Sequence, residues 1–107
     1  MDARARLLPK PAIEPIWIKF EHEGGGMRIL IVEDEPTLGK QLKSTLEHNG
    51  YAVDLATDGE EGHFLGSTES YDAVILDLGL PEVDGLTVLD RWRKEGKVTP
   101  VLVLTAR

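Results

Sequence analysis

The chain contains no cysteine among its 107 residues, which excludes disulfide bridges, zinc–thiolate sites and thiol catalysis. It has no apolar run near the roughly 20 residues that cross a bilayer, and its N-terminus lacks the uninterrupted apolar core of a signal peptide. Basic residues are outnumbered, with 12 Lys and Arg against 19 Asp and Glu and a net charge of -7. Such an acidic surface repels phosphate backbones. We therefore expect a soluble, cytoplasmic domain that has no membrane association and does not itself bind nucleic acid.

Charge and glycine divide the chain after position 26. Residues 1–26 hold four basic and four acidic residues, so the whole net charge of -7 falls within residues 27–107. The first segment closes with three glycines at 24–26, which lack Cβ atoms and form a flexible joint. We predict a flexible N-terminal extension over residues 1–26, ending in a glycine linker, and a single domain over residues 27–107.

Short apolar runs alternate with helical patterns from Met27 onward. Continuous apolar runs predict strands buried on both faces, and an alternating run predicts a more exposed strand. The continuous runs are 28–32, 71–76 and 100–104, and the alternating run is 51–56. Apolar residues that recur every three or four positions predict a helix in each interval, beginning near Pro36, Asp58 and Leu86. The second helix is the weakest, because Gly62 and Gly66 lower its helix propensity.

The resulting order, β-α-β-α-β-α-β, predicts an α/β fold with a doubly wound parallel sheet and helices on both faces. Ligands of such sheets bind beyond the carboxyl ends of the strands. Glu33 and Asp34 follow the first strand, Asp77 ends the third, and Thr105 follows the fourth. Carboxylates from two strands should therefore meet at one edge of the sheet, with a hydroxyl beside them.

The donors at this edge are oxygen atoms, without sulfur or imidazole, and such a set favours a hard cation such as Mg²⁺. Like charges a few ångströms apart repel each other unless they share a proton or a cation. Any one of Glu33, Asp34 and Asp77 could simply cap the helix that follows it. The three together, with Thr105, indicate a Mg²⁺ pocket suited to phosphoryl chemistry.

Three motifs carry a resemblance to a known family. Residues 27–35 resemble the opening of the OmpR/PhoB class of transcriptional regulators, and residues 77–85 resemble the phosphorylation-site loop of response regulators. Residues 101–107 resemble the strand that brings the switch hydroxyl in that family. Residues 27–107 therefore resemble a response-regulator receiver domain of two-component signalling, with a flavodoxin/CheY-like sheet. The resemblance also implies that the chain stops after the fourth strand, without the last helix-strand-helix.

The resemblance assigns roles to the acidic residues. Asp77 would be the phospho-acceptor, a carboxylate nucleophile that attacks the phosphohistidine of a sensor histidine kinase. Asp34 and Asp77 would bind Mg²⁺ directly, and Glu33 would bind it directly or through water. The backbone carbonyl of Gly79 would be a further ligand.

The resemblance also implies a switch. Thr105 would hydrogen-bond the attached phosphoryl group, and Ala106 would leave room for that group beside its own backbone N–H. The chain would be a phospho-acceptor that serves a transcriptional output, and not a turnover enzyme. One alternative is a non-phosphorylated interaction module. A remoter one is an aspartyl-phosphate phosphohydrolase, which is disfavoured because Gly79 stands where such enzymes place a second Asp.

The fourth strand is predicted to lie at an edge of the sheet. Its apolar residues at 101–104 would expose unpaired backbone groups there, and such an edge favours self-association. Residues 15–21 alternate apolar with polar or aromatic side chains and could dock on the sheet as a strand. The simpler hypothesis, which we favour, is that residues 1–26 are an undocked extension.

The histidine and tryptophan residues do not indicate a further catalytic or metal-binding site. The histidines His22, His48 and His63 stand apart from any cysteine or paired carboxylate, so we expect them at the surface. Trp92 lies at helical spacing from apolar neighbours, and we expect it to pack against the sheet.

Overall fold

The structure, a computed structural model, describes residues 27–104. Four strands alternate with three helices in this part of the chain, in the predicted order. The elements are β1 (Arg28–Val32), α1 (Pro36–His48), β2 (Ala52–Ala56), α2 (Gly59–Thr68), β3 (Ala73–Asp77), α3 (Gly85–Lys94) and β4 (Val101–Leu104). The predicted extension over residues 1–26, including the candidate docking strand at 15–21, lies outside the described residues.

All four strands run parallel in the order β2-β1-β3-β4. This order confirms the doubly wound sheet and its flavodoxin/CheY-like arrangement. The register aligns the carboxyl ends of the strands, because Val32 pairs with both Ala56 and Leu76, and Asp77 pairs with Leu104. β4 is one of the two outer strands of this sheet in the described part of the chain, and Leu102 on it is 62% exposed.

The sheet is packed on both faces, because successive side chains of a strand point to opposite sides. One face carries α2 and α3 over a cluster that includes Leu30, Val32 and Leu76. The other face packs Ile29 and Ile31 against the apolar stripe of α1. Full burial of each such side chain contributes about 1.5–3 kcal/mol. β1 is therefore buried on both faces, as its continuous apolar run predicts.

Each helix begins on a capping carboxylate just after a strand or loop. In α1, the Glu35 carboxylate accepts a hydrogen bond from the N–H of Leu38 at 2.8 Å. In α2, the Asp58 carboxylate accepts one from the N–H of Glu61 at 2.8 Å. In α3, the Asp84 carboxylate accepts one from the N–H of Thr87 at 2.9 Å. A cap of this kind contributes about 1 kcal/mol. α1 ends at His48 and is followed by its C-cap Asn49, after which Gly50 lies in the left-handed region at φ 93°, as the Asn-Gly pair predicts.

The predicted weakness of α2 is offset by close packing. A Cβ on Gly62 would lie 2.7 Å from Cγ1 of Val32, and a Cβ on Gly66 would lie 2.6 Å from Nε1 of Trp92. Real side chains do not come that close, so these glycines let α2 approach β1 and α3. Trp92 is buried, and its Nε1 donates to the carbonyl oxygen of His63 at 3.2 Å. The glycines that lower intrinsic propensity are thus what allows α2 to dock.

The expectation that His63 lacks a carboxylate partner is wrong. Its Nε2 lies 2.6 Å from Oε2 of Glu95, and its side chain is only 23% exposed. Oγ of Ser67 donates to the other oxygen of Glu95 at 2.7 Å. The two partners of the histidine contact are 32 positions apart, and only the packing of α2 beside α3 brings them together. His48 is exposed, as predicted, and His22 lies outside the described residues.

A polar cluster closes the opposite end of the sheet, at the amino ends of the strands. Asp54 accepts from Arg28 at 3.1 Å and from the hydroxyl of Tyr71 at 2.7 Å, and the Arg28 guanidinium lies 4.8 Å from the centre of the Tyr71 ring. The backbone N–H of Arg28 donates to the Asp72 carboxylate at 2.8 Å. The N–H of Asp72 donates in turn to the carbonyl of Arg28 at 2.8 Å, and β3 begins at the next residue, Ala73, two positions later than its apolar run predicts.

None of the helices within residues 27–104 is both long enough and apolar enough to cross a membrane.

Candidate functional site

The acidic residues that the sequence singles out come together beyond the ends of β1 and β3. Val32 and Leu76 are paired in the sheet, so the residues that follow them lie side by side. One oxygen each from Glu33, Asp34 and Asp77 can be chosen so that all three lie within 4.8 Å of one another.

Backbone hydrogen bonds orient two of these carboxylates. Oε2 of Glu33 accepts from the N–H of Glu35 at 3.0 Å, and the N–H of Glu33 donates to the carbonyl of Ala56 at 3.0 Å. Oδ1 of Asp77 accepts from the N–H of Gly79 at 2.9 Å. Glu33 and Asp77 are each 1% exposed, whereas Asp34 is partly exposed. The cluster is therefore held largely below the surface.

The chemistry of this cluster fits a hard divalent cation. Its side-chain donors are all carboxylate oxygens, which Mg²⁺ and Ca²⁺ prefer to sulfur or nitrogen ligands. Burial and mutual repulsion both disfavour three negative charges in so small a space, and a cation would offset both. The described residues thus supply a donor set that matches the predicted Mg²⁺ pocket.

The loop between β3 and α3 is fixed by backbone contacts at both ends. The N–H of Leu78 donates to the carbonyl of Leu104 at 3.1 Å, and the N–H of Gly85 donates to the carbonyl of Leu78 at 3.3 Å. A Cβ on Gly85 would lie 2.7 Å from Cα of Leu78, so this turn requires glycine. Within the loop, Leu80 is buried in the core. Glu82 has a φ of 63°, a backbone conformation that residues other than glycine rarely adopt.

Gly79 lies exposed in this loop, two residues beyond Asp77. Its N–H is engaged by the Asp77 carboxylate. Ligation of a cation by its carbonyl stays a prediction.

Thr105 and Ala106 lie outside the described residues. The residue before them, Leu104, pairs with Asp77 and accepts the hydrogen bond from Leu78. β4 therefore runs toward the same edge of the sheet as the acidic cluster. The roles of the hydroxyl and of the Ala106 N–H stay predictions.

One contact at the site was not anticipated from the sequence. Gly59, the first residue of α2, packs directly on Val83 in the loop after β3. The sequence carries no clear signal for it, because a glycine at the first position of a helix does not by itself indicate a contact. From the sequence, this position predicts only the start of a helix near Asp58.

Comparison with known proteins bears on the same region. The family model of the response regulator receiver domain matches residues 29–107. Among curated proteins, the transcriptional regulatory protein QseB of Haemophilus influenzae is 49% identical over 81 residues, which cover 76% of this chain and 37% of that protein. The transcriptional regulatory protein PmrA of Pectobacterium parmentieri is 51% identical over 81 residues, which cover 76% of this chain and 36% of PmrA. The chain thus spans little more than a third of the length of these relatives.

Solved structures agree with this match. The response regulator TrrA of Thermotoga maritima, determined in complex with Mg²⁺-BeF, has a TM-score of 0.71 and 41% sequence identity. The superposition covers 76% of this chain and 70% of TrrA.

Proposed function

This chain belongs to the response-regulator receiver domain family, and on that premise we propose that Asp77 accepts a phosphoryl group from the phosphohistidine of a sensor kinase. The observation that carries the proposal is the convergence of Glu33, Asp34 and Asp77 within 4.8 Å at the carboxyl edge of the sheet. Receiver domains serve two-component signalling, so a switch and not a turnover enzyme is the function this site fits.

Asp77 would act as the nucleophile. One of its carboxylate oxygens would form a bond to phosphorus while the bond from phosphorus to the imidazole nitrogen of the donor breaks, and that nitrogen would keep the electron pair. The Gly79 N–H holds Oδ1 of Asp77, so the carboxylate has a set orientation before the donor arrives. Such orientation lowers the entropic part of the barrier.

The Mg²⁺ ligands would be Asp34 and Asp77, with Glu33 bound directly or through water and the Gly79 carbonyl as a further ligand. The bond from the Glu35 N–H holds Glu33 in place for this role. When bound, the ion would neutralise negative charge on the transferred phosphoryl group. The similarity to TrrA, a structure in complex with Mg²⁺-BeF, supports this assignment.

Beyond the described residues, Thr105 would hydrogen-bond the attached phosphoryl group, and the Ala106 N–H would contact it. Residues 27–107 would form the receiver portion, and residues 1–26 an extension that precedes it. The relatives are transcriptional regulatory proteins much longer than the matched stretch, which supports a transcriptional output carried outside these residues. The partner would be a sensor histidine kinase, which would bind this domain in the cytoplasm. Self-association of the chain through the exposed edge of β4 is a further prediction.

The two alternatives are not favoured. An interaction module without phosphorylation has no need of three clustered carboxylates. A phosphohydrolase of the aspartyl-phosphate kind places an acid/base Asp two residues after the nucleophile, and Gly79 has no side chain to supply that group.

Labelling with a small phosphodonor tests the proposal. The chain is incubated with acetyl phosphate, with and without Mg²⁺, and intact mass is recorded after acid and after alkaline treatment. We expect a Mg²⁺-dependent gain of one phosphoryl group that survives acid and is lost in alkali, as an acyl phosphate is. Asp77→Asn should abolish the gain, and Asp90→Asn, at an exposed position on α3, should retain it. A gain that persists in Asp77→Asn would refute the assignment.

A further inference from the structure

The first residue of α2 lies against the loop that follows Asp77. Gly59 is buried, and a Cβ placed on it would overlap the carbonyl oxygen of Val83 and lie 3.0 Å from Cβ of Val83. Gly59 is the first residue of α2, directly after the N-cap Asp58. Its presence here is explained by the approach of two backbones, since any side chain would push the loop away from α2.

The amino end of α2 is held by two side-chain hydrogen bonds of its own. Asp58 accepts from the N–H of Glu61 at 2.8 Å, and the Glu61 carboxylate accepts from the N–H of Thr57 at 3.1 Å. One turn later, Gly62 is packed against Val32, the residue that precedes Glu33. The same helix end therefore touches both the strand that leads to Glu33 and the loop that leads away from Asp77.

The loop itself needs support from outside. Glu82, next to Val83, is held at φ 63°, and such a conformation persists in a residue other than glycine only where its surroundings impose it. Val83 is partly buried and packs against the core cluster on the α2 side of the sheet. The contact with Gly59 is thus one of the constraints that fix the loop between Asp77 and α3.

We propose that Gly59 is a positioning residue of the acidic site. It holds the loop between β3 and α3 in the position that keeps Asp77 and Gly79 beside Glu33 and Asp34. This inference rests on the proposed function of that site. A methyl group at position 59 would displace the Val83 carbonyl, and the displacement would pass back along the loop to Gly79. The Gly79 N–H would then no longer hold Asp77 in its present orientation.

A pair of glycine-to-alanine variants in the same helix tests the proposal. Gly59→Ala introduces the methyl group beside the loop. Gly66→Ala is the matched control, because its methyl group would meet the Trp92 ring, away from the acidic cluster. For both variants and the wild type, three quantities are measured: the dissociation constant for Mg²⁺ by calorimetry, hydrogen exchange at the Gly79 and Gly85 amides, and the free energy of unfolding.

Both variants should be less stable than the wild type, but only Gly59→Ala should affect the site. We expect it to weaken Mg²⁺ binding about tenfold or more, as loss of a supporting contact around a metal typically does. Exchange at the Gly79 and Gly85 amides should also be faster. Gly66→Ala should keep its dissociation constant for Mg²⁺ within about twofold of the wild-type value. Its exchange rates at the Gly79 and Gly85 amides should equal those of the wild type after correction for its lower free energy of unfolding. Equal changes in the two variants, or no change in Gly59→Ala, would overturn the proposal.

The exchange rates separate this inference from the proposed function. If the wild-type chain binds no Mg²⁺, the proposed function is contradicted. In that case, hydrogen exchange at the Gly79 and Gly85 amides alone tests the role of Gly59. Exchange in Gly59→Ala at the wild-type rate refutes that role. If Gly59→Ala does not fold, Val83→Gly replaces it, since this change removes the Val83 Cβ that faces Gly59 and adds no atoms. Faster loop exchange and weaker Mg²⁺ binding in Val83→Gly support the proposal, and wild-type values refute it.

Discussion

The backbone N–H of Gly79 donates a 2.9 Å hydrogen bond to Oδ1 of Asp77. The bond closes a turn immediately after β3, so the carboxylate is oriented by the chain that follows it and not by its strand alone. Any change that moves the loop therefore also turns Asp77. The residues that support the loop, Gly59, Gly85 and Leu78, belong to the site as much as the carboxylates do.

Removing one charge from the acidic cluster should stabilise the fold when no cation is bound. Asp77→Asn keeps the oxygen that accepts from Gly79 but removes a buried negative charge beside Glu33 and Asp34. Because repulsion between neighbouring carboxylates is relieved, we expect its free energy of unfolding without divalent cations to exceed that of the wild type, measured by urea denaturation with a chelator present.

The same variant should lose its response to the cation. Mg²⁺ at about 100 times its dissociation constant should add ~2.7 kcal/mol to the unfolding free energy of the wild type. Asp77→Asn should gain much less, whereas Asp90→Asn, which removes an exposed carboxylate on α3, should respond as the wild type does. A wild type without any response, or an Asp77→Asn variant with a full one, contradicts the cation site.

Acidification should weaken the contact between α2 and the end of α3. Hydrogen bonds from Ser67 and from His63 lower the pKa of Glu95 below its ordinary value. Because the folded pKa is the lower one, the stabilisation is complete above the pKa of an unfolded glutamate and disappears as the pH falls through the folded pKa.

This pH dependence is measured by urea unfolding of the wild type and Glu95→Gln from about pH 7 down to about pH 3. Gln can still accept from Ser67 but does not titrate. The gap between the two stability curves should narrow as the pH falls. Curves that stay parallel would show that the Glu95 contact does not contribute in this way.

Relief of backbone strain at position 82 should stabilise the loop. Glu82 lies at φ 63°, where a Cβ atom is crowded by the backbone and glycine is not. We expect Glu82→Gly to raise the unfolding free energy by about 1 kcal/mol. Glu82→Ala is the matched control, since it removes the same side chain but keeps the Cβ, and it should bring no such gain. Equal effects of the two changes would assign the result to the carboxylate.

The elements that the sequence predicts well are those whose evidence is local. Continuous apolar residues in β1 and in most of β3, the stripe of α1 and the carboxylates at the strand ends each carry their information within a few positions. Glu33, Asp34 and Asp77 could be placed together because the carboxyl ends of parallel strands share one edge of a sheet. The order of the strands came from the family resemblance and not from the pattern itself.

What could not be predicted depends on contacts between distant positions. Gly62 and Gly66 look unfavourable in isolation, and only the positions of Val32 and Trp92 explain them. The contact of His63 with Glu95 likewise requires α2 to lie beside α3. A glycine chosen for the space it leaves empty has the same local signature as one that merely weakens a helix.

The most direct test of the central claim is to locate the phosphoryl group. After reaction with acetyl phosphate and Mg²⁺, borohydride reduces an acyl phosphate to an alcohol, so a phosphorylated aspartate becomes homoserine, which peptide mass spectrometry identifies by position. The account predicts homoserine at position 77, with Asp34, Asp84 and Asp90 unmodified. Reduction at another carboxylate, or none at Asp77 in a chain that has gained the phosphoryl mass, would contradict it.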